Sequence, residues 1–75
     1  MNKDTFKGNW TEFKGTVKQQ WGKLTDNDIT EINGSYEVLE GKLQKLYGYQ
    51  KDQAQKEIDT YYDKQGYGTK TKTTV

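Results

Sequence analysis

The sequence predicts an all-α fold, a small four-helix bundle of two packed helical hairpins with a disordered C-terminal tail. Three features predict it. Apolar residues recur at spacings of three and four, which is typical of helices with one buried face. The pattern repeats after 26 residues, and glycine or capping residues stand where the apolar stripes end. We expect the helical domain to span residues 1–65 and the tail residues 66–75.

The first predicted helix is long. Its apolar stripe consists of Phe6, Trp10, Phe13, Val17, Trp21 and Leu24. We expect both tryptophans to be shielded from solvent, because an amphipathic helix buries its apolar stripe against the rest of the domain. Gly22 is expected to close this helix, since glycine is favoured just past a helix C-terminus.

A short second helix is predicted to begin at Thr25. The run Thr25-Asp26-Asn27-Asp28 resembles a capping box, in which the Thr25 hydroxyl accepts a hydrogen bond from a backbone N–H of the first turn. This helix would carry Ile29 and Ile32 inward. It should end near Asn33-Gly34, because both residue types tolerate a left-handed backbone.

The third and fourth helices complete the predicted bundle. The third ends at Gly48, and its apolar stripe is Ile32, Tyr36, Leu39, Leu43, Leu46 and Tyr47. The fourth runs from about Gln50 to Lys64 and buries Ala54, Ile58 and Tyr61, with Tyr62 at the edge. The run Gly66-Tyr67-Gly68 stops it, and the Thr- and Lys-rich residues that follow have no periodicity, which predicts disorder.

The 26-residue repeat aligns residues of the same type. The aligned pairs are Gly8 with Gly34, Trp10 with Tyr36, Phe13 with Leu39, Gly15 with Gly41, Val17 with Leu43, Trp21 with Tyr47 and Gly22 with Gly48. Self-similarity at such a period indicates one supersecondary unit used twice.

Two of the repeated glycines, Gly15 and Gly41, fall in the middle of predicted helices and project opposite the apolar stripes. One interpretation is that the other four glycines mark helix ends and that these two have no special role. The other is that they weaken their helices by about 0.5–1 kcal/mol each relative to Ala, so that folding responds to water activity or to a partner.

Composition excludes several functions. The chain has no Cys and no His, which removes disulfides, thiolate zinc sites and histidine catalysis. We expect no enzyme activity, no cofactor and no metal. The polar N-terminus and the lack of a long apolar run predict a cytoplasmic protein without membrane contact.

Charge alternates in sign along the chain. Residues 1–25 carry five Lys against two acids, residues 26–40 carry five acids and no Lys, and residues 41–75 return to an excess of Lys. This order favours internal attraction or head-to-tail association over the single-sign surface that binds DNA. We expect a monomer.

Five runs of residues, taken in order, carry a family resemblance. They are Gly8-Asn9-Trp10, Lys14-Gly15, Trp21-Gly22-Lys23-Leu24-Thr25-Asp26, Leu39-x-Gly41-Lys42-Leu43 and Tyr47-Gly48-Tyr49. Over about residues 3–62 the chain resembles the CsbD-like family of bacterial general stress-response proteins. The resemblance implies a small helical bundle, induction in a general stress response and no assigned enzymatic activity. Asn27, Ser35-Tyr36 and the tail depart from the family pattern, which puts shared surface charge in doubt but not the fold.

The candidate interaction surface is rich in tyrosine, because a thin core does not hide all six tyrosines. The residues expected to form it are Tyr47, Tyr49, Tyr62 and Tyr67. Tyrosine is common at interfaces since its ring is rigid and amphipathic. Partly buried tyrosines with solvated hydroxyls are the alternative.

A calcium site fits the sequence less well. Asp26, Asp28, Thr30 and Glu37 stand at ligand positions of an EF-hand loop, but Glu31 occupies the sixth position, where such loops need glycine. Acids at a helix N-terminus are the simpler interpretation.

A nucleic-acid site is also disfavoured. Lys7, Lys14 and Lys18 near the two tryptophans suggest phosphate contacts with base stacking. The tryptophans lie in the apolar stripe, however, so the lysines are better explained as solvated charges beside a core.

Two functions therefore stay open. The first is an abundant, hydrophilic stress protein that protects other macromolecules, which a mean hydropathy of −1.25 suits. The second is an adaptor that recognises one protein or nucleic-acid partner through the tyrosine-rich C-terminal half.

Overall fold

The structure is a computed structural model that describes residues 3–66, which form five α-helices and no strand. The helices are α1 Lys3–Gly8, α2 Trp10–Gln20, α3 Asp26–Ile32, α4 Tyr36–Tyr47 and α5 Lys51–Lys64. The all-α prediction is confirmed, but the described residues form five helices instead of four. The predicted disordered tail lies outside the described residues from residue 67 onward.

The fifth helix arises because the predicted first helix breaks at Asn9. This residue has φ −96° and ψ 1°, which takes it out of regular helix geometry. Helical hydrogen bonds nevertheless continue across the break, from Asn9 N–H to the Thr5 carbonyl (3.1 Å) and from Phe13 N–H to the Asn9 carbonyl (2.9 Å). The break is therefore one residue wide.

The sequence repeat corresponds to a repeated pair of helices, one short and one longer. α2 begins at Trp10 after the N-cap residue Asn9, and α4 begins 26 positions later at Tyr36 after the N-cap residue Ser35. The short helices α1 and α3 precede them. The break at Asn9 is thus the counterpart of the connection between α3 and α4.

Capping chemistry sets the other predicted boundaries. The Thr25 hydroxyl accepts from Asp28 N–H at 3.1 Å, and the Asp28 carboxylate accepts from Thr25 N–H at 2.9 Å, so the predicted capping box is confirmed. Asn33 (φ 44°) and Gly48 (φ 73°) end α3 and α4 in the left-handed conformation, also as predicted.

The predicted cap at Gly22 is wrong. α2 ends at Gln20, and Trp21 leaves helical geometry with φ −120° and ψ 86°. Its N–H still donates to the Val17 carbonyl, and its ring packs against Tyr61 at 5.3 Å between centroids. Because the chain already turns at Trp21, Gly22 has no left-handed cap to form.

The core is one cluster of buried side chains. Its members are Phe6, Trp10, Phe13, Val17, Trp21, Leu24, Ile32, Tyr36, Leu39, Leu43, Ala54, Ile58 and Tyr62. α4 packs against α1, α3 and α5, while α2 packs against α1 and α3. α4 is therefore the central helix of the five.

Phe6 anchors the short helix α1 in that core. Its ring lies 5.6–5.7 Å, between centroids, from the rings of Trp10, Phe13, Tyr36 and Tyr62. Tilted and edge-on aromatic pairs of this kind add stability beyond the area that they bury. Within residues 3–66, no helix combines the length and the apolar character that crossing a membrane requires.

Candidate interaction surface

Tyr47 and Tyr49 form a stacked pair just after α4. Their ring centroids are 5.5 Å apart and the planes differ by 14°. Gly48 stands between them in the left-handed conformation, and its N–H donates to the Gln44 carbonyl. Both rings are half-buried at the border of the core. The structure thus brings together two of the four predicted surface tyrosines.

Lys23 joins this pair from the loop between α2 and α3. Its Nζ lies 5.1 Å from the centre of the Tyr47 ring, within the range of cation–π attraction. The same Nζ donates to the Leu46 carbonyl at 3.3 Å, and the Lys23 N–H donates to the Tyr47 hydroxyl at 3.2 Å. A positive charge is favourable at this place because the carbonyls at a helix C-terminus are electronegative.

The outer ring of the pair remains uncharged at neutral pH. Burial raises the pKa of the Tyr49 hydroxyl, and the negative charge of Glu57 raises it further. The stack is therefore a neutral aromatic surface between Lys23 on one side and Glu57 on the other.

Tyr62 does not belong to this surface. It is 0% exposed, whereas the prediction placed it at the edge of the last helix. Its hydroxyl accepts from the Asn9 side-chain amide at 2.7 Å and donates to the Thr5 carbonyl at 3.4 Å. The ring therefore fills the space beside the break between α1 and α2. Tyr61 is the half-buried neighbour, and its hydroxyl donates to the Thr16 carbonyl at 3.1 Å.

Tyr67, the fourth predicted surface tyrosine, lies outside the described residues. Lys23 was missed by the sequence reasoning, which grouped tyrosines only. The repeat could have indicated Lys23, because Tyr47 aligns with Trp21 and Lys23 lies two residues after Trp21.

The acids of the notional calcium loop are bound to lysines instead. Asp26 pairs with Lys18 at 2.5 Å, and Glu37 pairs with Lys3 at 2.8 Å, which lowers the pKa of the Glu37 carboxyl. Asp28 pairs with Lys42 at 3.0 Å. The residues that the structure describes contain no group of three or more acids placed to hold a metal ion.

A second polar cluster surrounds the Tyr36 hydroxyl, which donates to Asp59 Oδ1 at 3.1 Å. Burial raises the pKa of Tyr36, and the negative charges of Asp59 and Glu40 raise it further. Glu40 itself is 7% exposed, and its Oε2 has no hydrogen-bond partner within residues 3–66. The burial of Glu40 has no signal in the repeat, because Glu40 aligns there with the exposed Lys14.

Comparison with known proteins identifies the family. The CsbD-like family profile matches residues 4–56. The chain is 58% identical over 67 residues to the UPF0337 protein YjbJ of Escherichia coli O6:H1. The aligned region covers 89% of this chain and 97% of that protein. It is 55% identical over 67 residues to YjbJ of Salmonella typhimurium, covering 89% and 96%.

A third relative has a similar identity to this chain. The UPF0337 protein pc0632 of Protochlamydia amoebophila is 61% identical over 64 residues, which covers 85% of this chain and 97% of that protein. No solved structure gives a significant match. The matched region includes α2, α3 and α4 in full, and these helices carry most residues of the repeat. This chain therefore belongs to the CsbD-like family.

Proposed function

We propose that this protein is a non-catalytic, monomeric, cytoplasmic protein of the general stress response, which protects other macromolecules through its abundance and its hydrophilic surface. One observation carries the proposal. Among residues 3–66, Val38 is the one large hydrophobic side chain that is exposed, at 38%. A folded protein with such a surface presents no apolar patch for self-association.

The physical argument concerns what happens when water becomes scarce. Proteins then crowd together, and exposed apolar patches adhere. A small protein that buries its aromatic residues and shows charged groups outward keeps a hydrated layer between its neighbours. A mean hydropathy of −1.25 and a charged fraction of 31% support this role.

A drying experiment tests the proposal. An unrelated enzyme is dried or frozen with this protein, and its activity is measured after rehydration. We expect more activity to survive than with an equal mass of an ordinary folded protein. The variant Tyr49→Ala should protect equally well, because protection would not depend on one aromatic side chain. Equal loss of activity with both additives would contradict the proposal.

An adaptor function is the second candidate, and the stacked Tyr47–Tyr49 pair favours it. Aromatic side chains are enriched at protein interfaces, and the Tyr47 and Tyr49 rings stack at the border of the core. Here Tyr49→Ala should abolish retention of one partner in a pull-down from stressed cells, and Tyr49→Phe should retain it. Tyr62 is unsuitable for this test, since its truncation would open a cavity in the core.

A further inference from the structure

A groove separates α2 from α3 on the face away from α5. It consists of two adjoining cavities of about 300 Å³ and about 210 Å³, which share Lys14, Ile29 and Thr30 in their walls. Cavities of this combined size accept small organic molecules. Of the contacts described above, the Lys18–Asp26 ion pair lies in this groove.

The two ends of the groove differ in chemistry. The larger cavity is mostly apolar and is bounded by Gly15 and by the half-buried Ile29, which packs on the core. The smaller cavity is mostly polar and is bounded by Thr11 and Asn33. Their side chains have no hydrogen-bond partner within residues 3–66, so both are available to a ligand.

Charge in the groove is positive and lies at its middle. Lys14 borders both cavities and forms no ion pair within residues 3–66. Lys18, at the far end, is neutralised by Asp26 at 2.5 Å. The remaining uncompensated charge therefore belongs to Lys14, between the apolar and the polar end.

Gly15 keeps the apolar end open. It stands in the middle of α2, where glycine weakens a helix, and a Cβ added there would meet no atom within 4 Å. Any larger side chain would project into the cavity. Its counterpart in the repeat, Gly41, is exposed in α4 in the same way but borders neither of these two cavities.

We propose that this groove binds a single-chain amphiphile with a carboxylate head group, a fatty carboxylate. The head would bind Lys14 Nζ and the donors of Thr11 and Asn33, and the chain would lie over Gly15 and Ile29. Charge complementarity selects an anion, since the Lys14 ammonium is the one charge of the groove without an ion-pair partner among residues 3–66. The larger cavity selects a hydrocarbon chain, because its accessible surface is mostly apolar, supplied by Ile29, Gly15 and the aliphatic stems of Lys14 and Lys18.

Nuclear magnetic resonance of the full chain tests the proposal with decanoate below its micelle concentration. We expect saturable shifts of the Gly15 and Thr30 amide resonances and no shift of Gly41. Affinity should rise from hexanoate to decanoate by up to about fourfold for each CH₂ that becomes buried. Decyltrimethylammonium, which has the same chain and the opposite charge, should not bind.

Two matched pairs of variants locate the site. Gly15→Leu should weaken decanoate binding at least about tenfold, whereas Gly41→Leu should leave it unchanged, although both replace an exposed mid-helix glycine. Lys14→Gln should weaken it about tenfold through loss of a charged hydrogen bond, whereas Lys56→Gln on α5 should not. Thermal unfolding of each variant establishes that it is folded.

Three results would overturn the inference. The first is the absence of a saturable shift with any carboxylate. The second is equal binding of decanoate by the wild type and by Gly15→Leu. The third is binding of decyltrimethylammonium as tight as that of decanoate. Saturable binding of an acidic peptide at this groove, without binding of decanoate, would also overturn the inference.

Discussion

Glu40 is a buried acid on the central helix, and one of its carboxylate oxygens has no hydrogen-bond partner in the described part of the chain. An unsatisfied buried polar group costs about 1–3 kcal/mol. We therefore expect Glu40→Met to raise the free energy of unfolding by about 1 kcal/mol, since methionine has a similar length and a high helix propensity. Urea denaturation measures the change.

Glu37→Met is the control for that substitution. It lies on the same helix, but its side chain is exposed and paired with Lys3. The control should give no gain in stability. Destabilisation by Glu40→Met would contradict the prediction, because it would mean that a hydrogen-bond donor satisfies the buried carboxylate.

Asp28 links stability to pH. The Thr25 backbone N–H lowers the pKa of its carboxyl, and the Lys42 ammonium lowers it further, from an ordinary value of 3.8. A carboxyl with a lowered pKa in the folded state contributes stability above its unfolded pKa, and this contribution is lost as the pH falls through the folded value. We expect the melting temperature to be level near neutral pH and to fall below about pH 4.

Asp28→Asn should lower the melting temperature at pH 7 and flatten its decline in acid. Asp52→Asn is the matched control, because Asp52 also lies in the first turn of a helix but forms no ion pair within residues 3–66. An acid decline of equal steepness in the wild type and in Asp28→Asn would contradict the assignment.

At the level of single residues, the sequence pattern identified most of the buried side chains. It placed Tyr61 in the core and Tyr62 at the edge, which is the reverse of their burial in the structure. Tyr61 and Tyr62 both lie near the apolar stripe of α5, and each is compatible with helical spacing from Ile58. Tyr62 is the buried one because the break at Asn9 offers its hydroxyl a hydrogen-bond donor. A contact between residues 53 positions apart has no local signal.

The effect of replacing a glycine by alanine on the free energy of unfolding depends on the backbone conformation of that glycine. Gly15 and Gly41 have open space where a Cβ would lie. We expect Gly15→Ala and Gly41→Ala each to raise the free energy of unfolding by about 0.5–1 kcal/mol, because alanine favours the helix. Chemical denaturation of the single and double variants measures this, and the two gains should add since the sites are independent.

Gly34→Ala is the contrasting substitution. Gly34 has φ +84°, and a Cβ there would lie 3.1 Å from Lys7 Cγ. We expect a loss of about 1–2 kcal/mol, since an L-residue is strained in the left-handed region. Destabilisation by Gly15→Ala, in contrast, would mean that the face of α2 bearing Gly15 is packed.

The helix count was predictable in part. Asn9 aligns with Ser35 in the repeat, and both residue types favour helix N-caps, so the second unit indicated that the first contains a break. The apolar stripe obscured it, because Phe6, Trp10 and Phe13 keep helical spacing across a break only one residue wide.

On the scale of the whole molecule, the alternating charges compensate one another internally. Lys3 and Lys18 from the basic segment pair with Glu37 and Asp26 from the acidic one, and Lys42 bridges Asp28 and Glu31. The prediction of internal attraction thus has a structural counterpart. The exposed pairs of Lys3 and Lys18 contribute little stability individually, so the core must supply most of it.

The burial of both tryptophans in the core predicts the fluorescence of the native protein. Trp10 is 6% exposed and Trp21 is 2% exposed. We expect native emission at short wavelength and weak quenching by acrylamide, with both changing together on unfolding, because the two indoles belong to one core. Native quenching as strong as that of the unfolded chain would contradict the packing of α2 against the core.

The sequence by itself determined the helical class, the capped ends of α3 and α4 and nearly every buried position, because these depend on residues within a few turns of one another. It also indicated the family, since the residue types that carry the resemblance occur in a fixed order along the chain. Only the tertiary structure decided the central place of α4, the burial of Tyr62 and Glu40, the lysine beside the tyrosine pair and the groove beside Gly15. Each of these depends on distant segments meeting, and side-chain packing between helices leaves no periodic trace in the chain.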